Sequence, residues 1–456
     1  MISSLAAASH AEIVPPMEAL WRVLSLQDYN TRVVVIGTTL LGLASGLAGV
    51  FLLLRKRSLL SDVVSHSALP GIGIAFIAMT MMGGGGKNTL GLLLGATATA
   101  LLGIVAVGAI RRFTRLKDDA ALAIVLGTFF SAGIALTGVA ARMPGAGASG
   151  LESWIYGKTA SMLFSDALLI GITGLLVTLG TVLLFKELAL LCFDEDFAAT
   201  QGWPVGLLDM LLMGATVAVT VIGLQAVGLI LVVALLIIPP AAARLWTHRL
   251  RPLAAISAVI GGLACLVGSA LSALMENLPA GAIIVLSAAA LFCVSLVFGT
   301  EGGMLHRGLG AWTLRKRVGR QHLLRALAEL AEQSGKDVAS FSTIRHRRSW
   351  HTATVRGLLA SAMKDGLVER VDARHWRLTE SGVAEARRVV RNHRLWELFL
   401  ITHADIAPSH VDRDADMIEH ILDERMIAQL EGLMAGENHG HVPPSPHALR
   451  PAEGTA

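Results

Sequence analysis

The sequence is poor in residues on which several functional classes depend. Its three cysteines, Cys192, Cys265 and Cys293, lie far apart in the chain, which excludes a disulfide framework and a Cys-x-x-Cys metal site. No Gly-rich lysine motif of the kind that cradles nucleotide phosphates is present, so we expect no ATP hydrolysis by this chain. The first 30 residues lack a basic start followed by an apolar core, and we therefore expect no cleavable signal peptide.

Charged residues are also scarce up to about residue 300. Over the 456 residues, 54% are hydrophobic and 16% are charged, which excludes a single soluble globule. Residues 301–456 carry 22 of the 38 Lys and Arg and 20 of the 34 Asp and Glu. The sequence therefore predicts a membrane part, residues 31–300, followed by a charged soluble part.

Nine apolar segments follow one another in the membrane part, and a helix needs about 18 or more such residues to cross roughly 30 Å of hydrocarbon. Basic residues, which are retained on the cytoplasmic side, follow alternate segments, as at Arg55 and Arg57 after the first. This alternation predicts an all-α polytopic bundle with nine crossings, an extracytoplasmic segment 1–30 and a cytoplasmic C-terminus. The segments are 33–54, 61–82, 89–110, 119–141, 165–185, 206–223, 225–243, 253–274 and 279–299.

The segment SDVVSHSALPG, residues 61–71, carries the clearest intramembrane pattern. Asp62 and His66 are four residues apart, so a helix places them on one face. Ionisable groups at membrane depth usually face a pathway or a partner, and an oxygen with an imidazole suits a divalent transition metal. The alternative is a helix start, with Asp62 favoured by the helix dipole and His66 merely buried. Pro70 and Gly71 are expected to break or kink this helix.

The segment CFDEDFAATQGWP, residues 192–204, is acidic at its start and rich in small residues in its middle. It lies on the predicted cytoplasmic side between the fifth and sixth apolar segments. A short surface helix that docks a cytosolic protein and a plain capped loop helix are equally consistent with it.

Three stretches resemble one family. LLLRKRSLLSDVVSHSALPGIGIAF (52–76) is similar to the second-helix signature of the permease subunits of ATP-binding cassette importers for manganese, zinc and iron. FDEDFAATQGW (193–203) and AVGLILVVALLIIPPAAARL (226–245) resemble the coupling loop and the next helix of that family. The resemblance covers roughly residues 30–300.

The resemblance implies a set of partners and two kinds of site. The permease would pair with a second copy or a sibling permease, a separate ATPase, and an extracytoplasmic metal-binding protein. Asp62 and His66 match the aspartate and histidine that hold the metal in the pathway. The ATPase would dock at Phe193, Asp194, Glu195, Phe197, Ala198 and Gly202.

The soluble part begins with the order of elements that a winged helix has, over residues 315–385. An amphipathic helix over 322–335 precedes two helices joined by a turn over 340–367, and 368–382 reads as a two-stranded ribbon that ends in a helix cap at Thr379. Its basic residues suit DNA phosphates, anionic lipid headgroups or another subunit. They are Arg345, Arg347, Arg348, Arg356 and Arg374.

A cluster of carboxylates and imidazoles follows at residues 386–432, a region predicted to be helical. His393 and Glu397 are four residues apart, and a second helix places Asp412, Asp416, Glu419 and His420 along one face. Metal binding explains such a face, especially for the last three residues, and a solvated acidic face is the alternative. The segment 433–456 reads as a disordered tail.

Residues 321–432 resemble the metal-dependent repressors of the diphtheria toxin repressor and manganese repressor type. The matching stretches are DGLVER (365–370), WRLTESG (376–382), NHRLWELFL (392–400) and DMIEHILDE (416–424). The resemblance implies primary metal ligands at Asp416, Glu419 and His420, with His322 near another. It implies an accessory site at His393, Glu397 and Asp412. An aspartate in place of a cysteine favours manganese or iron(II).

The sequence as a whole favours a permease for a divalent cation, Mn²⁺, Zn²⁺ or Fe²⁺, whose cytoplasmic domain senses internal metal and slows transport. Two alternatives remain. In a membrane-anchored transcription regulator, the spans would mainly sense metal or hold the DNA-binding domain at the membrane. A passive scaffold would use the soluble part only to dimerise the permease.

Overall fold

The computed structural model describes residues 27–83, 88–143, 157, 159, 162–274, 278–348, 350–403 and 425. Contacts divide the chain into two compact units, Met1–Arg307 and Gly308–Ala456. The predicted tail, 433–456, and most of the predicted N-terminal segment, 1–30, lie outside the described residues.

The described part of the first unit folds as helices. They are α1 (Tyr29–Leu54), α2 (Leu60–Met81), α3 (Thr89–Phe113), α4 (Asp118–Ala141), α5 (Phe164–Leu183), α6 (Phe185–Phe193), α7 (Glu195–Thr200), α8 (Val205–Val227), α9 (Leu229–Ala243), α10 (Leu250–Leu274) and α11 (Ala280–Phe298).

Eight of these helices are long and apolar enough to cross a membrane, namely α1 to α5, α8, α10 and α11. They account for eight of the nine apolar segments expected from the sequence. The remaining segment, 225–243, contains the end of α8 and the 15 residues of α9. At 1.5 Å per residue α9 is about 22 Å long, shorter than the roughly 30 Å of a hydrocarbon core.

Small residues bring α1 and α10 together at backbone distance. A Cβ atom on Gly42 would collide with the carbonyl oxygen of Gly261, and one on Gly46 would lie 2.5 Å from the carbonyl oxygen of Ser257. The hydroxyl of Ser257 donates to the carbonyl of Gly46 at 2.6 Å. Close approach of small residues, reinforced by a hydrogen bond, is typical of helix packing in membranes.

Of the two effects expected of Pro70, a break or a kink, the break does not occur, since α2 runs from Leu60 through Pro70 to Met81. The neighbouring helices accommodate the irregularity. Gly133 of α4 lies against Pro70, and the amide of Gly71 donates to the hydroxyl of Thr99 in α3 at 3.1 Å. Such neighbours allow proline inside a membrane helix because they satisfy or cover the disturbed backbone.

The second unit combines helices with a small antiparallel sheet. Its elements are α12 (Met304–Ser334), β1 (Val338–Ser340), α13 (Phe341–Arg347), α14 (Thr352–Lys364), β2 (Val368–Arg370), β3 (His375–Leu378) and α15 (Glu380–His403). The strand order is β1-β3-β2, with Ala339 opposite Trp376 and Glu369 opposite Arg377. The two predicted ribbon strands are present, and β1 adds a third.

Apolar side chains of α12, α13 and α14 form the core of the second unit. Leu323, Leu327, Ile344, Val355 and Leu359 are all buried in it. The hydroxyl of Thr379 accepts from the amide of Gly382 at 3.1 Å, as the predicted cap at the start of α15 requires. This core supports α12 and α15, the helices that carry His322 and His393.

Candidate functional site in the membrane unit

Asp62 and His66 lie one turn apart on α2 and face each other. Asp62 is in the first turn, because the helix begins at Leu60. The Nε2 atom of His66 lies 3.2 Å from Oδ1 of Asp62. The side chains are 16% and 31% exposed for His66 and Asp62, so neither is fully open to its surroundings. The spacing in the sequence thus produced the expected proximity, and metal binding by the pair stays a prediction.

The imidazole of His66 is fixed by α4. Its ring packs edge-on against Phe130, with centroids 4.8 Å apart and planes at 86°. The other nitrogen, Nδ1, is buried and has no hydrogen-bond partner within the part of the chain described. A buried polar atom without a partner is costly, which is a common property of sites that take a ligand.

The pair supplies one oxygen and one nitrogen, which is fewer donors than a closed metal site needs. Across the described residues, no cluster of three or more His, Cys, Asp or Glu side chains is placed to hold a metal ion. The remaining donors for an ion at Asp62 and His66 must therefore come from groups outside such a cluster, such as water, a backbone carbonyl or a second chain.

The acidic segment forms the short helix α7, and its aromatic side chains are exposed. The carboxylate of Asp194 caps the helix by accepting from the amide of Phe197 at 2.8 Å. Phe193 and Phe197 are 69% and 49% exposed, whereas Ala198, on the inner face of the same helix, is fully buried. Exposed phenyl rings beside carboxylates are unusual on a free surface and suit a protein partner.

Two further residues of this surface have distinct roles. Gly202 ends the segment with a φ of +81°, which favours glycine. Trp203, 43% exposed, extends the aromatic surface. It is the last residue of the stretch 193–203 that resembles the coupling loop, although it was not named among the single docking residues.

Sequence reasoning also missed an ionic network beside this segment. Arg55 and Arg57, from the turn between α1 and α2, bind Asp209 of α8, and Arg55 also binds Glu195 of α7. The two arginines were read only as orientation signals, because their acidic partners lie far away in the chain.

Candidate site in the second unit

His393, a predicted accessory ligand, is 2% exposed and lies against a guanidinium group. Its Nδ1 is 2.9 Å from Nη1 of Arg325. A guanidinium only donates hydrogen bonds, so Nδ1 is the acceptor and carries no proton. The described contacts therefore do not fit a metal ion at this nitrogen, since a second cation would have to displace Arg325.

The same guanidinium belongs to a buried chain of charges. Nε of Arg325 donates to Glu329 at 2.6 Å, and Nη2 of Arg347 donates to the same carboxylate at 3.1 Å. Burial acts to raise the pKa of Glu329, but the two guanidinium groups outweigh it and hold the pKa below its usual range. The network joins α12, α13 and α15.

The other predicted ligands of this unit are only partly within the described residues. His322 lies on α12, about one turn before Arg325, and is half-buried. Glu397 lies on α15, one turn after His393. The remaining four predicted ligands, Asp412, Asp416, Glu419 and His420, lie outside the described residues.

The arginines predicted to contact DNA or lipid headgroups lie in different surroundings. Arg347 is part of the buried network, and Arg345 lies 3.1 Å from the ring of His346. Arg348 lies just beyond the end of α13. Arg356 lines an open groove of about 780 Å³ between α14 and the β2–β3 ribbon. The groove's other charged residues are Arg370, Arg374 and His375.

Two family matches cover most of the chain. Residues 27–299 match the ABC 3 transport family, and residues 379–445 match the iron dependent repressor, metal binding and dimerisation domain. The first match contains Asp62, His66 and the docking helix α7. The second contains α15.

Individual relatives agree with both matches. The chain is 36% identical over 398 residues to the manganese transport system membrane protein MntC of Bacillus subtilis, covering 87% of this chain and 89% of that protein. It is 42% identical over 291 residues to the zinc transport system membrane protein TroC of Treponema pallidum, covering 64% and 95%.

A solved structure of PsaBC from Streptococcus pneumoniae in complex with Fab matches with a TM-score of 0.55 and 29% identity. The match covers 65% of this chain and 99% of that one. The chain therefore belongs to the ABC 3 transport family, as a membrane-embedded transport component rather than an enzyme.

Proposed function

We propose that the chain is the permease subunit of an importer that carries a divalent transition-metal ion, Mn²⁺, Zn²⁺ or Fe²⁺, into the cell. The observation that carries this proposal is the Asp62–His66 pair, a carboxylate and an imidazole 3.2 Å apart on a helix of spanning length. Oxygen and imidazole donors without thiolate suit these ions. The named substrates of two relatives, manganese and zinc, agree with this choice.

The ion's path needs a membrane orientation, which the basic residues supply. Arg55 and Arg57 follow α1, and Arg111 and Arg112 end α3, so these ends lie on the cytoplasmic side. We propose nine crossings, with α9 as the shortest, the N-terminus outside and the second unit in the cytoplasm. The docking surface at α7 then faces the cytosol.

A separate ATPase supplies the energy in this proposal by docking on the exposed side chains around α7. Phe193, Phe197 and Trp203 offer apolar area, and Asp194 and Glu195 supply charge at its edge. An extracytoplasmic metal-binding protein delivers the ion to the other face.

A second permease copy, or a sibling permease, completes the pathway. The described residues of one chain bring two side chains, Asp62 and His66, to the candidate site, whereas structural metal sites commonly use about four donors.

The transport proposal is tested by uptake of radiolabelled Mn²⁺ and Zn²⁺ into proteoliposomes that contain the chain and its ATPase. We expect Asp62→Ala to abolish uptake, because the Asp62–His66 pair loses its carboxylate. Asp118→Ala, which removes an exposed carboxylate paired with Arg111, is the matched control and should leave uptake unchanged. Wild-type uptake by the Asp62→Ala chain would reject the site.

We further propose that the C-terminal domain restrains transport when internal metal rises. The support is the family match over 379–445 and the donor chemistry of Asp416, Glu419 and His420 in the sequence. His393 need not contribute, because Arg325 engages its Nδ1. A Glu419→Ala/His420→Ala chain should lose inhibition by metal on the cytoplasmic side while keeping its uptake rate. Unchanged inhibition would reject this role.

The alternative, a membrane-anchored transcription regulator, has one structural observation in its favour. The groove between α14 and the β2–β3 ribbon carries Arg356, Arg370 and Arg374, basic side chains that suit DNA phosphates if the predicted winged helix is correct. Full-length chain in nanodiscs, titrated with duplex DNA at several salt concentrations, tests it. Sequence-selective binding that weakens steeply with salt would favour the regulator. Absence of binding would reject the regulator and leave the permease function as the proposal.

A further inference from the structure

The turn between α1 and α2 is held in a conformation that lysine seldom adopts. Lys56 has a φ of 55°, in the left-handed region that favours glycine. The amide of Arg57 donates to the carbonyl of Leu52 at 2.9 Å, which closes the turn as a helix C-terminal cap. Contacts on both sides of Lys56 must hold this strained turn in place.

The two arginines beside Lys56 supply those contacts. Arg57 Nη1 lies 2.7 Å from both carboxylate oxygens of Asp209, and Arg55 Nη2 lies 3.1 Å from one of them. Arg55 Nη1 donates to Glu195 at 2.8 Å and to the carbonyl of Leu191 at 3.1 Å. We name the set Arg55, Arg57, Glu195 and Asp209 the arginine clasp.

The arginine clasp is open to solvent at one end only. The side chain of Arg55 is 9% exposed and those of Arg57 and Asp209 are 25% and 27% exposed, so solvent screens the pairs with Asp209 weakly, whereas Glu195 is 53% exposed. Burial acts to lower the pKa of Arg55, but hydrogen bonds and charge from Glu195 and Asp209 raise it above its usual value. Partly desolvated pairs of this kind are stronger than exposed ones.

The arginine clasp also connects two parts of the proposed importer, the start of α2 and the helix α7. On one side, Arg57 lies five residues before Asp62 and just before the start of α2. On the other side, Glu195 is the first residue of the docking helix α7. Arg55 and Glu195 are 140 residues apart in the chain, yet their side chains are in direct contact.

We propose that the arginine clasp transmits movement of α7 to the metal-bearing end of α2. Arg55, Arg57 and Asp209 are thus positioning residues that couple ATP hydrolysis by the docked subunit to release or entry of the ion. The proposal rests on the proposed permease function. A purely structural role would impair assembly when these residues are changed. The proposed role instead predicts that the subunits stay assembled and that fewer ions are carried for each ATP hydrolysed.

The experiment uses the full chain with its ATPase and extracytoplasmic binding protein in proteoliposomes, with Mn²⁺ and Zn²⁺ as probes. Ion uptake and ATP hydrolysis are measured in the same vesicles. We expect Asp209→Asn to lower the number of ions carried per ATP by about tenfold, within the usual range of coupling between sites. The ATPase should still co-purify and hydrolyse ATP.

A double variant tests whether the residues act together. If they do, Arg57→Gln/Asp209→Asn should lose no more than Asp209→Asn alone. Arg57→Lys keeps the charge but not the fork of donors, so it should reach an intermediate ratio and serves if Asp209→Asn does not assemble. Arg111→Gln is the control, because Arg111 makes a similar 2.8 Å pair with Asp118 that does not involve α7.

Several results would overturn the clasp. The coupling role would be contradicted if Asp209→Asn carried as many ions per ATP as the wild type. The same holds for Arg57→Lys, if Asp209→Asn does not assemble and Arg57→Lys is measured in its place. An equal drop in the control Arg111→Gln would also contradict it. Loss of the ATPase from the complex would show that the residues only shape the docking surface. If the wild-type complex carries neither ion, the proposed function fails instead, so the two failures are distinguishable.

Discussion

Two histidines of the described chain, one in each unit, lie in opposite electrostatic settings. His66 faces the carboxylate of Asp62, and its second nitrogen has no hydrogen-bond partner in the described chain. His393 faces the guanidinium of Arg325, a permanent cation at 2.9 Å. A carboxylate beside an imidazole attracts a metal ion, whereas a guanidinium already occupies the position of one. Both histidines had looked alike in the sequence, each four residues from an acidic residue.

The largest effect should follow from giving His66 the neighbour that His393 has. Asp62→Arg places a guanidinium one turn from His66, so we expect ion uptake in proteoliposomes to fall to background. Asp62→Glu keeps the negative charge and should retain part of the uptake. Uptake by the Asp62→Arg chain at the wild-type rate would show that the charge beside His66 does not matter.

The next effect concerns the stability of the second unit. Arg325→Met removes the guanidinium between Glu329 and His393, and breaking a buried pair in this way costs about 3 kcal/mol or more. Hydrogen exchange of the amides in α12 should speed up accordingly. Arg388→Met, which removes an exposed pair with Glu385 on α15, should change exchange little. Equal effects of the two variants would contradict the buried network.

The pH dependence of that network has a definite sign. The pKa of Glu329 is lower in the folded chain than the usual value of about 4.3. Its contribution to stability is therefore complete above about pH 4.3 and is lost as the pH falls through the lowered value. As the pH is lowered, the protection of α12 amides against exchange, corrected for the intrinsic exchange rate, should decrease more in the wild type than in Glu329→Gln. Parallel curves would contradict the assignment.

The smallest effect is expected at a second Asp–His pair, which lies on the surface of the second unit. Nδ1 of His375 is 2.8 Å from Asp372, and the side chains are 43% and 55% exposed. Solvent screens such a pair, so Asp372→Asn should change neither ion uptake nor amide exchange of α12. A clear loss of uptake would mean that Asp–His proximity alone does not distinguish the site at Asp62.

The sequence predicted what depends on local spacing. The period of a helix placed Asp62 beside His66, and hydropathy located eight helices of spanning length. Thr379 marked the start of α15, because helix caps have characteristic residues.

What the sequence did not predict depends on contacts between distant residues. Arg325 and His393 are 68 residues apart, and Arg57 and Asp209 are 152 apart, so no local pattern pairs them. Strand β1 has three residues, too few for an alternating pattern. Whether the helix breaks at Pro70 could not be predicted either, because its continuity there depends on Gly133 and Thr99 on other helices.

The glycine contacts described for the bundle have a consequence for how such a protein changes shape. Gly42 and Gly261 on α1 and α10, and Gly71 and Gly95 on α2 and α3, leave backbone against backbone. A β-carbon at any of these four positions would meet a backbone carbonyl oxygen of the partner helix, so each pair of helices is held at backbone distance. The turn with the left-handed Lys56 connects α1 of one pair directly to α2 of the other, so a movement of one pair against the other would also act on this strained turn.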